Sequence, residues 1–321
     1  MKNILITGGG GYVGTNLTKQ LLNDGYKITV CDTFWFGNFL RKHKRLKIIK
    51  KDIRNLERKD LKGIDCIMHL ASIANDPAAE LDAKLTWDVN VLATYKLINL
   101  AVELKIKKFI FASSGSVYGI KKEKRVTEDL SLEPVSEYNK SKMIAERLLL
   151  SYKKKIDLTI LRPATVCGYS PAMRLDVAIN ALTFGALQNN FITVFGGKQI
   201  RPNLTMYDMI NAYRFFLTRK FKKNKSIKNI IFNLGFKNLS ILNMAKRIKK
   251  TLNSNSRIIL KNSNDPRSYR QNSDRIMKIG FNPTKNIEDA IIEIKEKYKL
   301  KKIPQKDSFY RINTLKMIKA K

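Results

Sequence analysis

Short β-rich apolar runs alternate with helix-period stretches over the first 160 residues of this chain. Lys2 to Thr7 has the make-up of a strand, and after Gly8 to Gly11 the residues Val13, Leu17 and Leu21 recur at helical spacing. Further strands are predicted at Lys27 to Cys31, Leu46 to Lys50, Cys66 to Leu70, Phe109 to Ala112 and Leu158 to Leu161. One long helix is predicted around Leu85 to Leu104 and another from Tyr138 to Leu150. Strands alternating with helices mark an α/β fold of Rossmann type, a doubly wound parallel sheet. Beyond residue 165 the pattern loosens. Asp176 to Gln188, Ile241 to Leu252 and Ile287 to Tyr298 read as helices, and Asn229 to Leu234 as a strand returning to the first sheet. The expected organisation is a Rossmann domain over 1–165 with a smaller, packed C-terminal lobe over 166–321.

Composition adds mainly exclusions. Apolar residues are 44% of the 321 and charged residues 28%, the balance of a soluble globular protein. No apolar run approaches the roughly 18–20 residues of a spanning helix, so no membrane is expected. Met1 to Ile6 is too short an apolar run for a signal peptide. Cys31, Cys66 and Cys167, far apart and in apolar contexts, read as reduced core residues of a cytoplasmic protein. The net charge of +35 comes from 45 Lys and 17 Arg scattered from Lys2 to Lys321. A nucleic-acid binder would concentrate arginine, the better fork for phosphates and base edges, so no nucleic-acid partner is expected. His43 and His69 are the only histidines and stand apart from cysteines and carboxylates at ligand spacing, so no metal is expected.

Candidate chemistry begins at Thr7-Gly8-Gly9-Gly10-Gly11-Tyr12-Val13-Gly14, a glycine turn between a strand and a helix. Gly8, Gly11 and Gly14 permit a tight turn, close approach to a pyrophosphate and close helix-to-strand packing. Asp32 closes the second strand, where a carboxylate accepts from adenosine ribose hydroxyls and repels a 2′-phosphate. The cofactor indicated is NAD.

The turn resembles the T-G-x-x-G-x-x-G of the extended short-chain dehydrogenase/reductases, the branch of nucleotide-sugar epimerases and dehydratases, UDP-glucose 4-epimerase among them. The likeness continues through Asp52-Ile53-Arg54, His69-Leu70-Ala71-Ser72 and Asn90, at least over 1–170. It implies cofactor contacts at Thr7, Gly8, Gly11, Tyr12, Val13, Gly14, Asp32, Asp52, Ile53, Leu70, Ala71, Ser72 and Asn90. Tyr138 and Lys142 are added from the catalytic helix.

Tyr138 and Lys142 lie four apart on one helical face. A free phenol, with a pKa of about 10, is a poor base at neutral pH. A neighbouring ammonium and a cationic nicotinamide would favour phenolate, and a fall toward 7 needs roughly 4 kcal/mol. Tyr138 is then expected to take the proton from a sugar hydroxyl. Ser114, second in Ser113-Ser114-Gly115-Ser116-Val117-Tyr118-Gly119, matches the family serine that hydrogen-bonds the reacting oxygen. The family's 4,6-dehydratases carry Thr-Asp-Glu there, whereas this chain has Ser114, Gly115 and Ser116, so dehydration is not expected. Epimerisation of a nucleotide-sugar through a transient ketone is the leading expectation. The alternatives are a ketoreductase or dehydrogenase of the same substrates, and a non-catalytic dinucleotide-binding sensor or scaffold.

On the substrate side the resemblance implies Thr165, where the family has Asn, with Arg174 and Arg201. Arg267, in a segment similar to one carrying a second diphosphate contact, completes the set, although Lys261 and Asn262 stand where the family has Arg. In similar proteins the helices near 85–104 and 138–150 form a dimer bundle, so a homodimer is expected, and polysaccharide or glycoconjugate synthesis is the implied setting.

Overall fold

A computed structural model describes residues 1–219, 226–263 and 268–319. In chain order the strands are β1 (Asn3–Thr7), β2 (Lys27–Asp32), β3 (Leu46–Lys50), β4 (Cys66–His69), β5 (Lys108–Ala112), β6 (Asp157–Pro163), β7 (Thr165–Cys167), β8 (Phe191–Phe195), β9 (Ile200–Thr205), β10 (Ile231–Leu234), β11 (Lys237–Ser240) and β12 (Arg257–Lys261). The α-helices are α1 (Tyr12–Asn23), α2 (Asp76–Leu81), α3 (Ala83–Trp87), α4 (Ala93–Glu103), α5 (Glu137–Leu150), α6 (Ala178–Asn189), α7 (Met206–Thr218), α8 (Ile241–Leu252), α9 (Asp274–Lys278), α10 (Ile287–Lys299) and α11 (Arg311–Lys319).

Seven strands form a parallel sheet in the order β3-β2-β1-β4-β5-β6-β10. Its inner strands are apolar on both faces because helices cover both, whereas the edge strand β3 is largely exposed. Ile4 and Ile6 of β1 join a core with Leu17 and Leu21 of α1 and Phe216 of α7. The intervening Leu5 points the other way, into a core with Leu97 of α4 and Ala145 and Leu149 of α5. The order reverses between β1 and β4, and this switch point opens the crevice beyond the strands' carboxyl ends. β10 arrives from far along the chain to pair with β6, Ile231 opposite Ile160.

The remaining strands make two small sheets, β11-β9-β7 and β12-β8. α6, α8 and α10 pack with β8 around a third apolar core. After α10 the chain turns back: Ile303 and Phe309 join the first core, and α11 packs on α2.

One expected element is divided. The apolar periodicity over 85–104 predicts a single helix, whereas the chain runs through α3, a π-helical turn at Asp88–Leu92, and α4. Widening the turn brings Asn90 inward. Its amide donates to Ile73 O (3.1 Å) and Ser141 Oγ (2.9 Å), while its oxygen accepts from Ile73 N (2.9 Å).

Candidate active site

The crevice is a cavity of about 370 Å³ running from the β2–β3 end of the sheet to the start of α5. Its floor is the turn after β1. Gly8 has φ +73°, and a Cβ there would lie 2.6 Å from Ala71 N; one on Gly14 would lie 2.2 Å from Gly8 O. Side chains at either position would break the packing of turn, α1 and β4. Gly11 caps α1 without any side-chain acceptor, leaving the first-turn N–H groups facing the cleft. Asp32 accepts from Gly10 N (2.9 Å) and Phe34 N (2.7 Å), and burial holds its carboxyl above the usual carboxylate range. Asp52, paired with Arg54, and Ile53 close this end. A backbone cradle that excludes Cβ atoms, an uncapped helix start and a carboxylate at the end of β2 suit a dinucleotide.

At the other end, Ser136 caps α5 by accepting from Asn139 N, which sets the face carrying Tyr138, Lys142 and Glu146. Tyr138 and Ser114 line the cleft together. Ser114 Oγ contacts Ser116 Oγ at 2.7 Å, and Ser116 donates on to Asn139 Oδ1. The Lys142 ammonium donates to Ala112 O (2.8 Å) and sits 4.9 Å from the Phe111 ring centroid and 6.0 Å from that of Tyr138. Burial drives its pKa down to about 7, with Glu146 pulling the other way. Tyr138 is raised by burial, against lowering by Ser114 and Arg174. The sequence reading expects an ammonium that pulls the phenol down. In the protein alone the pull comes from Ser114 and Arg174, and desolvation of both groups dominates.

Beneath this pair lies a network that sequence reasoning missed. Arg162 of β6 clasps Glu146 through Nε (2.9 Å) and Nη2 (2.6 Å), and Ser113 donates to the same carboxylate. Arg162 also donates to Tyr118 OH (2.7 Å), which donates to Asn233 Oδ1 of β10 (2.8 Å). Glu146 is four residues after Lys142, and that spacing was the available signal.

Thr165, Arg174 and Arg201 all line the cleft. Arg174 holds Asp176 at 2.9 and 3.1 Å, and Asn75, which caps α2, donates to the same carboxylate (2.9 Å). Arg311 and Leu315, from the far end of the chain, also line the cleft and have no precursor in the motif reading. Two expected contacts stand behind the wall. Thr7 meets His69 Nδ1 at 2.6 Å, and Asn90 spends its amide on Ile73 and Ser141. Burial, then Lys142, push His69 down to about 3, so the ring is neutral. Arg267 lies outside the described residues. Of the acids lining the cleft, Asp32 and Asp52 are at the β2–β3 end, and Asp76 accepts from Ser136. No helix among the described residues is long and apolar enough to cross a membrane.

The sequence profile of the NAD dependent epimerase/dehydratase family matches residues 4–235, more than half the chain. The chain is 29% identical over 270 residues to a UDP-glucose 4-epimerase of Lactobacillus helveticus, covering 76% of this chain and 81% of that one. Among solved structures it is similar to a UDP-N-acetylglucosamine 4-epimerase from Methanobrevibacter ruminantium M1 in complex with UDP-N-acetylmuramic acid. That match has a TM-score of 0.85 and 25% identity over 94% of this chain and 99% of that one. A UDP-glucuronic acid 4-epimerase from Bacillus cereus, in complex with UDP-glucuronic acid and NAD, has a TM-score of 0.79 and 29% identity, over 92% and 99% respectively.

Proposed function

Given that the chain belongs to the NAD dependent epimerase/dehydratase family, we propose that it inverts one hydroxyl-bearing carbon of a nucleotide-activated sugar through a transient ketone. The observation that carries this reading is that Ser114, Tyr138 and Lys142 line one cleft with the glycine turn, with Gly115 and Ser116 where a dehydratase has its acids. NAD, held by the turn after β1 and by Asp32, supplies a reversible hydride acceptor when bound. Ser114 holds the reacting oxygen. Tyr138 takes the hydroxyl proton as the carbonyl forms and returns it when the alcohol is restored. Lys142, anchored on Ala112 O, stabilises the phenolate that this requires.

In this reading residues 1–165 with β10 form the dinucleotide domain. The remainder supplies Thr165, Arg174 and Arg201 to the sugar and its diphosphate. Leu92, Tyr95 and Ile144, 59%, 48% and 36% exposed on the π turn, α4 and α5, support a homodimer, and the three buried thiols support a cytoplasmic setting.

The test is to purify the protein without added cofactor, quantify the dinucleotide released on denaturation, and assay a panel of nucleotide-sugars by NMR. Near-stoichiometric NAD with interconversion of two epimers is expected. Empty protein that consumes NADH stoichiometrically with a keto-sugar nucleotide would establish a reductase instead.

A further inference from the structure

Arg311 opens α11 and is 5% exposed. Its guanidinium lies over the Phe36 ring, 4.0 Å from the centroid. Nη1 donates to Ser308 O (2.7 Å) and Nη2 to Ala172 O (3.3 Å). Those partners carry no formal charge, and among the described residues no carboxylate lies within ion-pairing distance of the guanidinium. Asp176, which accepts from the Arg311 backbone N–H, is already gripped by Arg174. The Arg174 guanidinium has Asp176 as its carboxylate, and the Arg311 guanidinium is left with carbonyls alone. Burial and the like charge of Arg174 push Arg311 down to about 9. A buried cation with only carbonyl partners is costly unless an anion completes it.

The position selects the anion. Arg174 bears electrostatically on both Tyr138 and Tyr12. Arg311 stacks on Phe36, just past the end of β2, and lines the cleft with Asp32 and the first residues of α1, where a dinucleotide's phosphates lie. The segment carrying it is bonded to both walls. Phe309 O accepts from Leu175 N (2.9 Å), the Phe309 ring meets Phe39 at 6.4 Å, and Lys319 Nζ donates to Leu81 O (2.7 Å).

We propose that Arg311 is a ligand for the diphosphate of the bound dinucleotide, and that residues 303–319 strap the cofactor into the cleft. A guanidinium fork suits a diphosphate. The inference deepens the epimerase reading, on which it rests, because an enzyme that regenerates its own cofactor each cycle needs to retain it.

The experiment uses full-length protein stripped of dinucleotide and compares wild type with Arg311→Gln for binding of NAD, ADP-ribose, UDP and adenosine. Arg311→Gln should weaken NAD and ADP-ribose alike by at least ~10-fold and leave adenosine and UDP unchanged. Unchanged NAD affinity in a folded variant overturns the proposal, as does a loss confined to UDP. Hydrogen exchange on the wild type needs no variant: NAD and ADP-ribose, but not adenosine, should slow exchange over 307–319, and equal exchange refutes the strap. If wild type epimerises no sugar while Arg311→Gln still loses NAD, the reaction assignment fails alone. If it epimerises and the variant binds NAD normally, the Arg311 assignment fails alone.

Discussion

Replacing Lys142 by methionine should abolish turnover and yet stabilise the dinucleotide-free protein near neutral pH. The ammonium is 2% exposed, and its pKa is driven from 10.5 to about 7, by burial first. Between those values the unfolded chain binds the proton more tightly than the native one, so native stability rises with pH across this window. The cost to the native state is complete below about pH 7 and fades only as pH approaches the unfolded value. At about 1.4 kcal/mol per tenfold, it reaches roughly 4–5 kcal/mol near pH 6 and about 2 kcal/mol near pH 9. Methionine removes this cost and keeps the packing on Phe111, but gives up the bond to Ala112 O, a loss of about 1–2 kcal/mol. The variant should therefore be more stable by about 2–4 kcal/mol near pH 6 and by about 0–1 kcal/mol near pH 9. Urea denaturation of both stripped proteins at several pH values measures this difference. An advantage for methionine that is flat with pH, or that grows as pH rises, would refute the buried, low-pKa ammonium.

Tyr138→Phe should retain NAD and nucleotide-sugar binding while losing about 10²–10⁴ in kcat, measured by single-turnover epimer analysis; a smaller loss moves the base elsewhere. Glu146→Gln leaves the Arg162 guanidinium without its counter-charge and should cost about 3–5 kcal/mol in chemical denaturation. The same variant should lower the Lys142 pKa further, because Glu146 is what holds it up. Leu92→Lys, on the exposed face of the π turn, should shift the protein to monomer in sedimentation equilibrium without changing its far-UV circular dichroism, and an unchanged mass would place the interface elsewhere.

The parts legible in the sequence are those whose chemistry is local. The glycine turn, Asp32 and the Tyr138/Lys142 pair each announce themselves within a few residues, and all of them line one cavity. The seven-strand sheet was legible because most of its strands are short apolar runs. Of the small sheets, β11-β9-β7 was hidden because Lys237–Ser240 and Ile200–Thr205 are short and largely polar, the latter with a proline, whereas the apolar Phe191–Phe195 and Arg257–Lys261 of the other sheet were readable and went unassigned. The π turn was hidden because one inserted residue leaves the apolar period of 85–104 almost intact. Thr7 and Asn90 show the opposite limit, since a motif position can serve the wall of a site rather than its surface. Arg311 lies 279 residues from Asp32 in sequence, and no spacing rule reaches across that distance; only the return of the chain after α10 brings the two together.

The late arrival of β10 bears on how this protein is made. A ribosome must synthesise through residue 234 before the last strand can zip onto β6, and until then the β6 edge, with its apolar Leu158, Ile160 and Leu161, has open hydrogen-bonding groups along one side. An N-terminal fragment ending near residue 165 would carry the glycine turn, Ser114, Tyr138 and Lys142 and still lack its closing strand and the Asn233 partner of Tyr118. Such a fragment is expected to aggregate rather than fold. Nascent chains are most exposed to mispairing during translation of the stretch between β6 and β10, which is where a holding chaperone would matter most.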